Sequence, residues 1–305
     1  MDPQDFNLRI LVNPVHHVNP VINKNKPLAI YSVQKKRSKI LLKIILKGMN
    51  MKIKITYLMM LLLFVIPLHL KGSDFKEKKS VNKGEATFVN VQIAFLGGSI
   101  DVSGGARELL DARFEYSEME WKPEIEYRLK NKIGNLKVSM PDAEDDISIN
   151  DEDVNNWDIQ LNNDIPMDLS IKLGGGEGFY DLSNLKMNSL EIKLGGGKLD
   201  IDLRNSSLPR LDFKAVAGEA TLDLSGKWSN DLDADFVCGF GELNLKLPKN
   251  ISVSVKASGI MGNVEAPGFS RDGSTYTNDA FRKTKVTLYI DIFGGIGNVN
   301  LDQVE

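Results

Sequence analysis

Three aspartates recur at a fixed interval, Asp181, Asp202 and Asp223, with Asn244 in the next place. Acids repeated at one spacing become neighbours in space if the chain itself repeats. Neighbouring like charges repel, so something must relieve them: a cation, raised pKa values, or solvent and nearby lysines. One reading is a strip that takes a divalent cation or a basic partner. The other is a solvated column that keeps the protein soluble and blocks lateral sheet pairing. A glycosidase pair of carboxylates fits poorly, because a flat solvated face has no cleft to raise an acid's pKa. A second acidic group, Asp151, Asp153 and Asn155, has D-x-D-x-N spacing. An EF-hand loop would want glycine where Asn156 stands and glutamate where Asn162 stands. Incidental calcium affinity is the most this pattern supports.

The phrase IKLGGG occurs twice, at 171–176 and 192–197. Glycines after an apolar run can cradle phosphate. No Lys-Ser/Thr and no helical pattern follows them, so neither phosphate nor dinucleotide binding is expected. The calcium-binding nonapeptide of β-rolls is also missing. The histidines are His16, His17 and His69, which leaves none for a mechanism in the main part of the chain. The lone Cys238 has no histidine to activate it and reads as a small buried hydrophobe. No catalytic residue, cofactor or firm metal site is assigned.

The same phrase indicates the elements that position these residues. Gly176 precedes Leu182 by six residues, as Gly197 does Leu203, Gly218 Leu224 and Gly239 Leu245. A degenerate copy spans Gly259–Val264, and a last one, Gly295–Leu301, follows an insertion, Pro267–Lys285. Such periods indicate repeat architecture. Each unit holds two alternating runs, such as Leu190/Ile192/Leu194 and Leu199/Ile201/Leu203, the period of strands with one buried face. The expected fold is all-β: a right-handed parallel β-solenoid of two sheets with about 21-residue coils. The corner glycines would be Gly176, Gly197, Gly218, Gly239 and Gly295. A second charged column, Lys172, Lys193 and Lys214, would lie beside Glu191, Asp212 and Asp233. Ala106–Ala112 could form a turn or two of helix, and the acidic run Asp142–Asp158 a solvated loop. Trp121 and Trp157 would plug the junction before the first coil or, if exposed, stack on sugars. Asp272-Gly273 signals a hairpin in an insertion suited to recognition.

Residues 51–72 have the layout of a secretory signal peptide or N-terminal anchor: Lys52 and Lys54, then an apolar run over 57–68, short for a membrane span. Residues 1–50 read as an upstream extension preceding the true start, or a disordered segment. Residues 85–165 would form an N-terminal β-rich cap and 166–302 the solenoid, with the final GGIGNVNLD coil completing its far end. Residues 73–305 carry 26 basic and 39 acidic side chains, a net charge of about −13. That excludes nucleic acid and repels anionic lipid, leaving membrane contact only through 51–72.

ARELLDARFEY (106–116), KPEIEY (122–127), WDIQLNNDIPMDLSIKLGGGEG (157–178) and LGGGKLDIDL (194–203) together resemble the toast-rack family of extracytoplasmic domains. That family is related to the C-terminal part of LiaF-like cell-wall-active antibiotic response proteins. The resemblance covers about residues 85–302 and is carried by glycine and apolar positions, which speak to fold more than chemistry. It implies a β-solenoid outside the cytoplasmic membrane. LiaF-like proteins pair this domain with several membrane helices and restrain a stress-sensing histidine kinase, whereas this chain has at most one hydrophobic segment. The expected function is a non-enzymatic, exported cell-envelope module that binds a protein partner, with a role in envelope stress response. The alternative is an extracellular adhesin or glycan-binding solenoid.

Overall fold

The computed structural model describes residues 74–141 and 153–305. The segments 1–50 and 51–72, Asp151, and the acidic run up to residue 152 lie outside the described residues. The strands are β1 (Phe75–Val81), β2 (Phe88–Phe95), β3 (Ser99–Gly104), β4 (Leu110–Tyr116), β5 (Glu124–Lys130), β6 (Ile133–Ser139), β7 (Asn155–Leu161), β8 (Met167–Leu173), β9 (Glu177–Asp181) and β10 (Met187–Leu194). They continue with β11 (Lys198–Asp202), β12 (Arg210–Asp223), β13 (Leu232–Pro248), β14 (Ser252–Ser258), β15 (Met261–Glu265), β16 (Ser270–Asp272), β17 (Thr275–Thr277), β18 (Thr287–Phe293) and β19 (Ile296–Val304). Among the described residues a single 3-10 turn, Met119–Trp121, interrupts them.

Alternation makes these strands and decides their faces. In β8, Met167, Leu169, Ile171 and Leu173 are buried while Asp168, Ser170 and Lys172 point outward. Each such leucine or isoleucine, fully removed from water, contributes about 1.5–3 kcal/mol. Inward residues of all coils join one core cluster.

The strands form two layers. The first is parallel from β6 through β2, β8, β10, the first half of β12, the first half of β13, and β18 to β14. The second runs from β7 through β3, β9, β11, the later halves of β12 and β13, and β19 to β15. Because β12 and β13 pass through the corner unbroken, the layers join into one large mixed sheet. Antiparallel strands close the ends: β5 on β6, β4 on β7 and β1 on β4 at one end. At the other, β17 pairs with β14 and β16 with β17.

Several expectations change. The N-terminal section is more than a cap, since β2–β3 and β6–β7 are coils of the stack itself. The last coil, β18–β19, does not complete the far end. It slots between β13 and β14–β15, pairing with both. The insertion is what allows this, giving the chain length to leave the stack and return. Its Asp272-Gly273 turn does form a hairpin, with Gly273 at φ 58°. That hairpin is paired to β14 as an end cover, with Tyr276 buried, and does not project as a free loop. Ala106–Ala112 is not helical: Leu109 and Leu110 are buried, and the carbonyls of Ala106 and Glu108 accept hydrogen bonds from Asn162 Nδ2 at 3.2 and 3.0 Å. The described end of the acidic run, Asn155–Asp158, opens β7 and is not loop.

The register also shifts. Leu190 lies beside Leu169 and Leu211 beside Leu190, a step of 21. Phe213 lies beside Phe236, a step of 23. The extra length falls in the 225–231 loop, whose Trp228 is buried and donates from Nε1 to Leu224 O at 2.7 Å. The corner glycines are therefore Gly176, Gly197 and Gly218 as expected, followed by Gly241 and Gly297, not Gly239 and Gly295. The former have positive φ, from 91° at Gly176 to 158° at Gly297. A Cβ on any of them would overlap a backbone oxygen of the adjoining coil, so only glycine fits.

Candidate functional site

Asp181, Asp202 and Asp223 stand side by side on the outer face of the second layer. The next place is taken by Lys246, not Asn244, because of the two-residue shift. Each aspartate closes the turn that follows its own strand. Asp181 Oδ1 accepts from the Ser183 amide at 3.3 Å and its hydroxyl at 2.7 Å. Asp223 Oδ1 does the same with Ser225, at 3.0 and 2.6 Å. Asp202 Oδ1 accepts from the Arg204 amide at 2.9 Å, and its carboxylate takes the Arg204 guanidinium as well. Side-chain turns of this kind are a standard use of aspartate. Burial alone would raise the Asp202 pKa, but the Arg204 hydrogen bonds outweigh it and hold the carboxyl below its ordinary value. The repulsion is thus relieved from within the protein by hydroxyls, Arg204 and Lys246. Among the described residues no group of three or more acids, cysteines or histidines is arranged to hold a metal ion.

A parallel rung row runs Asp158, Asp101, Phe179, Asp200 and Thr221. Asp101 is pushed up, first by burial and then by Asp158. Phe179 stands 42% exposed between Asp101 and Asp200. The two rows enclose an open groove of about 600 Å³, lined among others by Asp101, Phe179, Asp181, Asp200, Asp202 and Lys246. Beneath it Tyr180 is buried with its hydroxyl unpaired, and burial raises its pKa.

On the first layer Lys172, Lys193 and Lys214 form the expected column. The acids beside it are Glu191, Asp212, Asp235 and Asp291, so Asp235 replaces Asp233. Lys193 bonds to Glu191 at 2.6 Å and lowers its pKa. Asp235 is raised by burial and then by Asp212 and Asp291.

The remaining candidates take structural places. Trp157 is buried, donates to Asn155 Oδ1 at 3.1 Å and packs edge-on against Phe95 and Phe114. Trp121 is buried too, so neither is a sugar platform. Asn155 donates to Gly97 O at 2.6 Å, and Asn162 holds the 106–108 carbonyls, so neither is placed as a calcium ligand. Cys238 is half-buried, not fully buried as expected, and that burial pushes its thiol up to about 11, far from a reactive thiolate.

Sequence reasoning missed one feature. Phe240, Ile296 and Met261 occupy one register at the corner and are 62%, 49% and 66% exposed. Val216 and Phe293 nearby are also exposed. The signal was present in the corner spellings: GGG in two coils, then VAG, GFG, GIG and IMG.

The family model described as the N-terminal domain of toast_rack, DUF2154, matches residues 70–209 and 189–246. The chain belongs to the toast-rack family. A solved structure of a candidate cell adhesion protein from Clostridium sporogenes is 31% identical to this toast-rack chain, covers 76% of it and 100% of its own length, with a TM-score of 0.59. Candidate adhesins from Bacteroides fragilis and Parabacteroides distasonis match at 11% and 9% identity over 75% and 76% of this chain and 97% and 98% of theirs, with TM-scores of 0.29 and 0.28. No curated protein matches the chain.

Proposed function

We propose that this protein is a non-enzymatic, extracytoplasmic adhesion module that binds a basic, extended segment of an envelope protein along the groove of its second layer. The observation that carries the reading is Phe179, an exposed aromatic set between Asp101 and Asp200 with the Asp181/Asp202/Asp223 row beside it. An apolar anchor with acids on both sides suits a chain of alternating basic and apolar residues. The cell adhesion name of the 31% identical relative supports binding over catalysis. So does the engagement of the row's carboxylates by the hydroxyls and guanidinium of their own turns. With Trp121 and Trp157 inside the core, a protein partner is favoured over a glycan. On the same reading segment 51–72 directs export, the coils wind in the right-handed sense usual for parallel crossovers, and the partner belongs to the cell-wall stress response of LiaF-like proteins.

The test is a photocrosslinking residue at position 179 in the intact chain in cells, with a second at 137 on the first layer as control. A protein captured from 179, absent from 137 and lost on Asp200→Lys, supports the reading. Capture of glycan alone, or of nothing, refutes it.

A further inference from the structure

The triple-glycine corners contain one glycine that the fold does not require. In Gly174–Gly176 and Gly195–Gly197 the outer glycines are forced: a Cβ on Gly174 would lie 2.6 Å from Leu96 O, one on Gly195 would overlap Gly174 O, and Gly176 and Gly197 have positive φ. The middle glycines are different. A Cβ on Gly196 would meet nothing within 4 Å, and one on Gly175 would meet only Leu96 O, at 3.9 Å. In the next coils the same register place carries Ala217, Phe240, Ile296 and Met261. The corner is therefore smooth along one half and raised along the other.

We infer that a second copy of this chain docks on this corner, antiparallel about a two-fold axis, with the raised half of each copy seated on the smooth half of the other. An axis midway between Ala217 and Phe240 sets Phe240 against Ala217 of the second copy, Ile296 against its Gly196 and Met261 against its Gly175. Rungs repeat at about 4.8 Å in both copies, so knobs and hollows match rung for rung, and the contact is self-complementary as a two-fold interface must be. The antiparallel arrangement sets like layer beside like layer with the rungs reversed, which turns the Lys172, Lys193 and Lys214 column towards the Val237, Phe293 and Ser258 places of the second copy. The five exposed apolar side chains leave roughly 500 Å² of apolar surface, at the upper end of the largest patch on an ordinary monomer. That is below the roughly 800 Å² per partner of a standard interface, so the dimer should dissociate on dilution in the micromolar range. The second-layer groove stays open, so this inference does not rest on the proposed function; a dimer would present two grooves and bind bivalently.

Sedimentation velocity of the full chain across a dilution series tests it. The expected result is a concentration-dependent dimer. Gly196→Glu and Phe240→Ser should each weaken it at least tenfold while the monomer keeps its wild-type circular dichroism. Gly175→Gln serves in place of Gly196→Glu if that variant misfolds. A protein that stays monomeric at every concentration overturns the inference. So does a dimer that Phe240→Ser breaks but the hollow-filling variants leave intact, because the raised residues would then meet something other than the smooth half.

Discussion

Adjacent glycines of one triplet should respond oppositely to the same substitution. Gly197 has φ 95°, and a Cβ there would overlap Gly176 O. Alanine at this φ costs about 1–2 kcal/mol, and forcing two packed backbones apart adds about 1–3 kcal/mol. Gly197→Ala should therefore destabilise by about 2–5 kcal/mol, on the order of 10 °C in Tm for a domain of this size. Gly196 has room for the methyl group. Gly196→Ala should be neutral or stabilising by up to about 1 kcal/mol, because it narrows the unfolded ensemble. Urea unfolding followed by circular dichroism reads both, at concentrations where the chain is monomeric. Coils of a repeat protein can unfold separately, so the whole transition is compared and not the midpoint alone. Equal losses at the two positions would refute the reasoning, since residue identity would then matter everywhere in the corner and not only where backbone approaches backbone.

Two further outcomes follow from the side chains. The depressed pKa of Asp202 adds stability that is present above its ordinary value near 3.8 and lost as pH falls through the lower folded value. Arg204→Ala should remove that contribution, so wild type and variant differ at neutral pH and converge in acid; a gap that persists in acid would show that Arg204 acts by packing alone. Cys238, pushed up to about 11 by burial, should resist a thiol reagent at pH 8 in the folded protein and react at once in denaturant. Rapid labelling of the native state would show that partial burial does not hold the thiol protonated.

Much of the stack was legible because its signals are local. Leu190, Ile192 and Leu194 declare a strand face by alternation alone, and IKLGGG declares a strand and its corner. The Asp181–Asp202–Asp223 and Lys172–Lys193–Lys214 rows were read correctly wherever the step held at 21. The reading failed at Asn244, Asp233 and Gly239 for one reason, and Gly295 copied the same misplaced glycine-to-leucine spacing. Trp228 and its loop lengthen a single coil by two residues, a shift that leaves strand parity intact, so the alternation carries no trace of it. How the aspartates are relieved was not legible, for another reason. Spacing shows that carboxylates stack, but not that Ser183, Arg204 and Ser225, two residues along, turn back to satisfy them.

The sequence by itself determined the all-β class, the two-run coil, the inward residues and the glycine corners, because strand period and positive φ are properties of a few neighbouring residues. Only the tertiary structure decided the order of the coils. The β2–β3 coil lies inside β6–β7, and β18–β19 lies inside β14–β15. Any of these apolar strands could pair with several others, since their inward faces are nearly interchangeable. The choice is made by what closes the ends: antiparallel β4 and β5 at one, and at the other the β16–β17 hairpin with Asn278, whose Nδ2 donates to Pro248 O at 3.1 Å and Ile251 O at 2.7 Å. Those contacts join residues far apart in the chain, and no local pattern specifies them.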